Sequence, residues 1–222
     1  MRSLEVISFI SETPTPYEQV WEFQKKRVDE IAAGHASECL IFCEHPLTIT
    51  SGRRAVKENI IDPLAPVFEI ERGGDVTLHS KGQLVIYPLV KLHGENFPGG
   101  LSEYLRFCEQ ALINILQSFG LETGRFGPTG VWIKDLQGRT KKIASIGIAV
   151  RRWITYHGIA INISNDLNEF QKIRPCNFDS SVMTSLTEQG VQISLKEFAQ
   201  LIEDEFRGRD AKVPGQLSNL RN

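Results

Sequence analysis

One cysteine, one lysine and one glycine-rich segment carry the residue types from which a reactive site is built. Cys176 stands in KIRPCNFDSS, amid charge, a proline and polar residues, with no helical or strand period around it. A thiol in such a loop is expected to be exposed, with the backbone N–H groups of Asn177 and Phe178 free to point at a substrate oxygen. The residues alone leave two readings open, a nucleophile and an idle loop cysteine. Lys141 and Lys142 open the run KKIASIGIAV, residues 141–150. A lysine there is either a snorkelling surface residue or a deliberately placed cation, and Ala144, Ser145 and Gly147 leave space beside the strand. The segment YHGIAIN (156–162) again carries small residues where a core strand carries bulk, and glycine in a strand often marks a close backbone or ligand approach.

The third segment is RGGDVTLHSKGQLVIYP, residues 72–88. Gly73 and Gly74 let backbone come close where side chains would block it. Arg72 either braces this loop or touches substrate. His79 is either a satisfied structural histidine, holding the loop to backbone carbonyls, or a proton-transfer group. The remaining cysteines read as core. Cys39 and Cys43, with His45, spell C-x3-C-x-H, but on a strand four residues span roughly 13 Å, far beyond two thiolates each about 2.3 Å from one zinc. Cys108 falls on the apolar stripe of a helix.

The elements that position these residues follow from periodicity. LEVISFI (4–10) alternates as a strand. TPTPYEQVWEFQKKRVDEIAAG is a helix stopping at Gly34, with Tyr17, Val20, Trp21, Gln24, Val28 and Ile31 near one stripe. ECLIFC, PLTIT, VFEI, QLVIYPLV, GVWIK, KIASIGIAV and ITYHGIAINI are short, β-branched runs between Gly, Pro or charged breaks, the signature of strands. A second helix spans 102–119 with Ser102 as its cap. A third opens on the capping box Ser194-Leu-Lys-Glu197 and runs to about Phe206. Strands without regular βαβ alternation indicate an α+β class: a single domain with a mixed β-sheet and flanking helices, the runs at 83–90 and 143–150 central. Residues 1–207 are assigned to one domain and 208–222 to a polar, loose C-terminal tail.

Bulk properties exclude more than they assign. The 222 residues suit one sizeable core. No stretch approaches the ~20 apolar residues of a membrane span, and the N-terminus has neither the apolar core nor the cleavage site of a signal peptide. A net charge of −2 gives no general affinity for nucleic acid. Four cysteines without a secretion signal indicate free thiols and a cytoplasmic location. Arg53, Arg54 and Lys57 form one basic cluster, Arg151 and Arg152 another; each is either a docking patch for an acidic partner or a solvated surface.

RGGDVTLHSKGQLVIYP, KIASIG, HGIAIN and the proline–cysteine pair at 175–176, in this order over roughly residues 40–190, together resemble the octanoyltransferases of lipoate biosynthesis. The resemblance implies a fold like the biotin and lipoate protein ligase catalytic domains, an octanoyl-thioester intermediate on Cys176, and Lys142 as its catalytic partner. It implies acyl-binding segments at Arg72, Gly73, Gly74, Asp75, Val76, Thr77, Leu78 and His79, at Ser145, Ile146 and Gly147, and at Gly158, Ile159 and Ala160. The partners it implies are octanoyl-loaded acyl carrier protein as donor and, as acceptors, the lipoyl domains of 2-oxoacid dehydrogenase complexes and the glycine cleavage H protein. It calls for no metal, cofactor, nucleic acid or membrane. The sequence departs from the family pattern at Lys81, where proline is usual, at Asn177, where glycine is usual, and at Ser145, where alanine is usual. Lys81 is expected to loosen the turn after His79, whereas Asn tolerates left-handed backbone better than most residues. The alternatives are an ATP-dependent lipoate or biotin ligase, which needs no catalytic cysteine, and an acyl-binding protein that transfers nothing.

Overall fold

The computed structural model describes residues 4–62, 65–135 and 137–208, and at Cys176 the backbone alone. The tail assigned to 208–222 therefore lies, from residue 209 onward, outside the described residues. Ten strands and three α-helices are described, joined by loops and short 3-10 turns. In chain order they are β1 (Glu5–Ser8), α1 (Tyr17–Ala32), β2 (Cys39–Cys43), β3 (Thr48–Ser51), β4 (Val67–Glu69), β5 (Val76–His79), β6 (Gln83–Leu89), α2 (Leu101–Ser118), β7 (Thr123–Gly124), β8 (Gly130–Lys134), β9 (Thr140–Arg151), β10 (Ile154–Asn162) and α3 (Leu195–Phe206).

Seven strands form a mixed sheet in the order β1-β2-β6-β10-β9-β8-β7, with only β1 and β2 parallel. The long apolar runs duly fall at its centre, β6 and β9 flanking β10. Helices α2 and α3 bury one face: Cys108, Leu112 and Leu116 of α2 meet Ile86, Ile159 and Ile161 of the sheet. Helix α1 lays Val20, Val28 and Ile31 on the other face, against Val85, Tyr87 and Ala160. A second, three-stranded sheet (β4-β3-β5) stands apart with its own small core of Ile49, Val76, Leu78, Phe170 and Ile173. Among the described residues no helix is long and apolar enough to cross a membrane.

Local signals mostly act where the sequence places them. Ser194 accepts the Glu197 N–H at 3.2 Å while the Glu197 carboxylate takes the Ser194 N–H at 2.9 Å, so α3 starts on its capping box. Helix α2 starts one residue earlier than expected. Gly100, not Ser102, is its N-cap, and its N–H donates to the Glu103 carboxylate at 3.1 Å. Strands β5 and β7 are the ones the sequence concealed: β5 sits inside a segment rich in glycine and polar groups, and β7 is only two residues long.

Candidate active site

A cavity of about 510 Å³ opens between the two sheets, within the size range of small-molecule sites. Lys142 lines it and is only 3% exposed, so it is no snorkelling surface residue. Its orientation depends on a β-bulge. Val131 of β8 faces Ala144 of β9, but Trp132 faces Lys142, which leaves Ile143 as an extra residue. Ile143 and Ala144 consequently both enter the helix-side core. Lys142 is thereby turned to the same face as Ser145 and Gly147, which an unbroken alternation would forbid. The segment 183–184 fixes it from the other side: Lys142 bridges to Met183, and its carbonyl accepts the Thr184 N–H at 3.0 Å.

The backbone of Cys176 lies in a 3-10 turn, Pro175–Asn177, whose outer residues line the same cavity as Lys142. Here one expectation fails. The Asn177 and Phe178 N–H groups are not free but donate to the carbonyls of Arg174 (3.4 Å) and Pro175 (3.1 Å), as 3-10 geometry requires. The turn is instead braced through side chains. Asn59 Nδ2 donates to Asn177 Oδ1 at 2.7 Å and to Asp75 Oδ2 at 2.6 Å, and Arg174 N–H donates to the Asn59 carbonyl at 2.8 Å. Asn177 adopts φ +62°, the left-handed region in which asparagine is tolerated.

The glycine-rich segment crosses the cavity as a bridge between the sheets. Gly73 N–H donates to the Ile148 carbonyl of β9 at 3.1 Å. A Cβ on Gly147 would stand 2.8 Å from Arg72 Cδ and 3.0 Å from the Gly73 carbonyl. The missing side chain of Gly147 therefore admits the Arg72 side chain and the Gly73 carbonyl rather than leaving open room beside the strand. Arg72 both lines the cavity and braces the loop, donating from Nη2 to the Thr50 carbonyl at 2.7 Å and from Nη1 to the Gly73 carbonyl at 3.0 Å. Of the residues assigned to acyl binding, all but Leu78 line the cavity; Leu78 packs into the small-sheet core, to which Val76 also contributes. Lys81 is exposed, and the turn it occupies is tied down at Gly82, whose N–H donates to Glu44 at 2.6 Å and whose carbonyl accepts the Ser164 N–H at 2.9 Å. Proline's absence leaves that turn anchored.

His79 Nδ1–H donates to Gln83 Oε1 at 2.8 Å, a side-chain amide rather than a backbone carbonyl. Gln83 is oriented in turn by Leu78 O and Asn162 Oδ1. Burial, reinforced by nearby His45, lowers the His79 pKa to about 3, so the ring is neutral and holds no imidazolium proton to give. Beside it lies a cluster that sequence reasoning missed. Tyr17 stacks on His79, His45 accepts from the Tyr87 hydroxyl at 2.9 Å while donating to the Thr15 carbonyl at 2.7 Å, and His157 donates to Glu71 at 3.3 Å. Burial lowers His45 and His157 to about 4 as well. Tyr17 and His45 were each legible only as core or as a doubtful ligand, since their partners come from strands far along the chain. Cys39, Cys43 and Cys108 are free, buried thiols, and burial raises the pKa of each.

Residues 16–207 match the family model of the lipoyl protein ligase A/B catalytic domain. The chain belongs to that family. Within the lipoyl protein ligase A/B family, it is 38% identical to an octanoyltransferase of Rickettsia bellii (strain OSU 85-389), over 90% of this chain and 98% of that protein. An octanoyltransferase of Rickettsia felis (strain ATCC VR-1525 / URRWXCal2) is 36% identical over 86% of this chain and 92% of its own. Among solved structures, lipoate-protein ligase A bound with ATP superposes with a TM-score of 0.71 at 17% identity, covering 94% of this chain and 88% of that one. That likeness establishes the family fold of a mixed sheet with flanking helices.

Proposed function

We propose that the chain is an octanoyltransferase of protein lipoylation that carries the octanoyl group as a thioester on Cys176, with Lys142 moving the protons. The observation that supports this is one cavity bordered by buried Lys142 and by both chain neighbours of Cys176, in a protein whose relatives are named octanoyltransferases. In the first half-reaction the Cys176 thiolate attacks the carbonyl of an octanoyl thioester on acyl carrier protein. The C–S bond to the carrier breaks, and the departing thiolate takes a proton from the Lys142 ammonium. In the second, the lysine amine of a lipoyl domain attacks the Cys176 thioester, the neutral Lys142 amine accepts the proton released, and the cysteine leaves as thiolate. Exchange between thioesters is nearly isoenergetic and needs no ATP.

Proton carriage is favoured over simple charge tuning by magnitude. Lowering a thiol pKa from ~8.5 to ~7 raises the thiolate fraction roughly 15-fold at pH 7. With a Brønsted slope of ~0.4–0.5, about fivefold in nucleophilicity is lost, leaving a gain of about threefold. Arg54 lines the cavity, which supports reading the cluster with Arg53 and Lys57 as a docking patch for an acidic carrier or lipoyl domain. Arg151 and Arg152 instead face Asp29 at 3.0 and 3.8 Å, which fits a solvated charged surface.

Mixing the protein with octanoyl carrier protein, without ATP, is expected to leave a hydroxylamine-labile octanoyl mark on Cys176, seen by mass spectrometry and lost in Cys176→Ala. Transfer to a lipoyl domain that survives in Cys176→Ala, or that requires ATP, overturns the reading.

A further inference from the structure

The β-bulge that turns Lys142 into the cavity also gives it a neighbour. Trp132 is its cross-strand partner, and the Lys142 Nζ lies 5.4 Å from the indole centroid, within cation–π range. The indole also meets Phe178, two residues beyond Cys176, edge to face, with centroids 5.8 Å apart and planes at 71°. Trp132 therefore touches both the lysine and the turn that bears the cysteine. It is 2% exposed and held in place, its Nε1–H donating to the Pro128 carbonyl at 2.8 Å. The backbone around it is clamped too. Buried Glu109 of α2 accepts the Gly130 N–H at 3.2 Å and Arg125 Nε–H at 2.7 Å. At Gly130, with φ +133°, a Cβ would stand 2.5 Å from the Ala144 carbonyl and 3.0 Å from Lys142 Cε, so the glycine is demanded first by the backbone of β9 and also leaves the lysine stem its room.

We propose that Trp132 is a positioning residue for acyl transfer, holding the Lys142 ammonium near its ring and the Cys176 turn through Phe178, so that the two reacting groups are aligned before substrate arrives. This rests on Lys142 and Cys176 being the reacting pair. A planar, rigid ring suits the task, because it fixes both neighbours at little cost in side-chain entropy. The ring face also favours an ammonium without the hydrogen-bonded proton sharing that a carboxylate would impose.

The test measures steady-state and single-turnover octanoyl transfer, followed by mass spectrometry, for Trp132→Leu, Trp132→Phe, Lys142→Ala and the Trp132→Leu/Lys142→Ala double variant. Trp132→Leu is expected to lower kcat about tenfold with KM for the octanoyl carrier within about twofold. Trp132→Phe, which keeps an aromatic face, is expected within about threefold of the parent. In the double variant, the leucine change should add nothing to the loss from Lys142→Ala. Independent, multiplying losses overturn the positioning role while leaving the Lys142 assignment standing. A raised KM with unchanged kcat, or equal behaviour of leucine and phenylalanine, does the same. Unimpaired transfer by Lys142→Ala overturns the assignment and the positioning role together. Should the leucine variant fail to fold, a folded Trp132→Phe protein that loses more than about tenfold in kcat decides against the proposal.

Discussion

At Asn177 a single dihedral angle and a single hydrogen bond meet. The left-handed φ of +62° disfavours most side chains by roughly 1–2 kcal/mol. Asparagine is among the exceptions, and its Oδ1 accepts from Asn59, which also holds Asp75. Glycine there would satisfy the dihedral and forfeit the brace, whereas alanine would forfeit both. Asn177→Gly is therefore expected to retain more turnover than Asn177→Ala, and the alanine protein to melt lower, by about 1 kcal/mol in stability. Parallel assays of octanoyl transfer and thermal unfolding check this ranking. Equal behaviour of the two variants would mean that the backbone angle is not what the position demands. The type of residue at 177 was legible in the sequence as a departure from glycine, and so was its tolerance of left-handed backbone. Its partner, 118 residues earlier, was not.

At the scale of elements, the central strands depend on where side chains are missing. His157 of β10 has φ +55°, and its N–H is taken by Gln24 of α1 at 2.8 Å. The next residue, Gly158, lies hard against β6. A Cβ there would overlap the Ile86 carbonyl and stand 2.9 Å from Pro88 Cδ. Neither neighbour can yield, one being backbone and the other a proline ring. Gly158→Ala is expected to destabilise the fold by about 2–3 kcal/mol, read as a lowered denaturant midpoint. A variant as stable as the parent would show that β6 and β10 can separate without loss. The sequence marked this glycine as a place of close approach without revealing what approaches; the visitor is a neighbouring strand.

For the molecule as a whole, the two sheets enclose a cavity that brings three neutral histidines together. His45, His79 and His157 have pKa values lowered by burial to about 4, 3 and 4, against about 6.5 in an unfolded chain. The unfolded chain therefore binds more protons than the native protein between those values. The stability contributed by the neutral rings is complete above pH 6.5 and is lost as pH falls toward 4 and 3. The expected result is a Tm that is flat above about pH 7 and falls steadily below about 6.5, before the carboxylates titrate. Calorimetry in matched-ionic-strength buffers checks it, and a Tm unchanged between about pH 7 and 5 would refute the neutral cluster.

Local chemistry sufficed to place α1 and α3, the central strands β6, β9 and β10 and the α+β class, whereas Cys176 and Lys142 were singled out by the family resemblance rather than by the residues alone. Helical stripes, strand alternation and the capping box are properties of residues within a few positions of one another. The tertiary structure alone decided which way Lys142 faces. Counted along β9, Lys142 and Ser145 belong on opposite faces; the extra residue at Ile143 reverses the count and puts both in one cavity. A bulge is set by the register between β8 and β9, and register is an agreement between two strands and the faces they bury, which the residues of β9 alone do not fix. For the same reason the Asn59–Asp75–Asn177 brace and the ring cluster of Tyr17, His45, His79, Tyr87 and His157 have no signature in the chain.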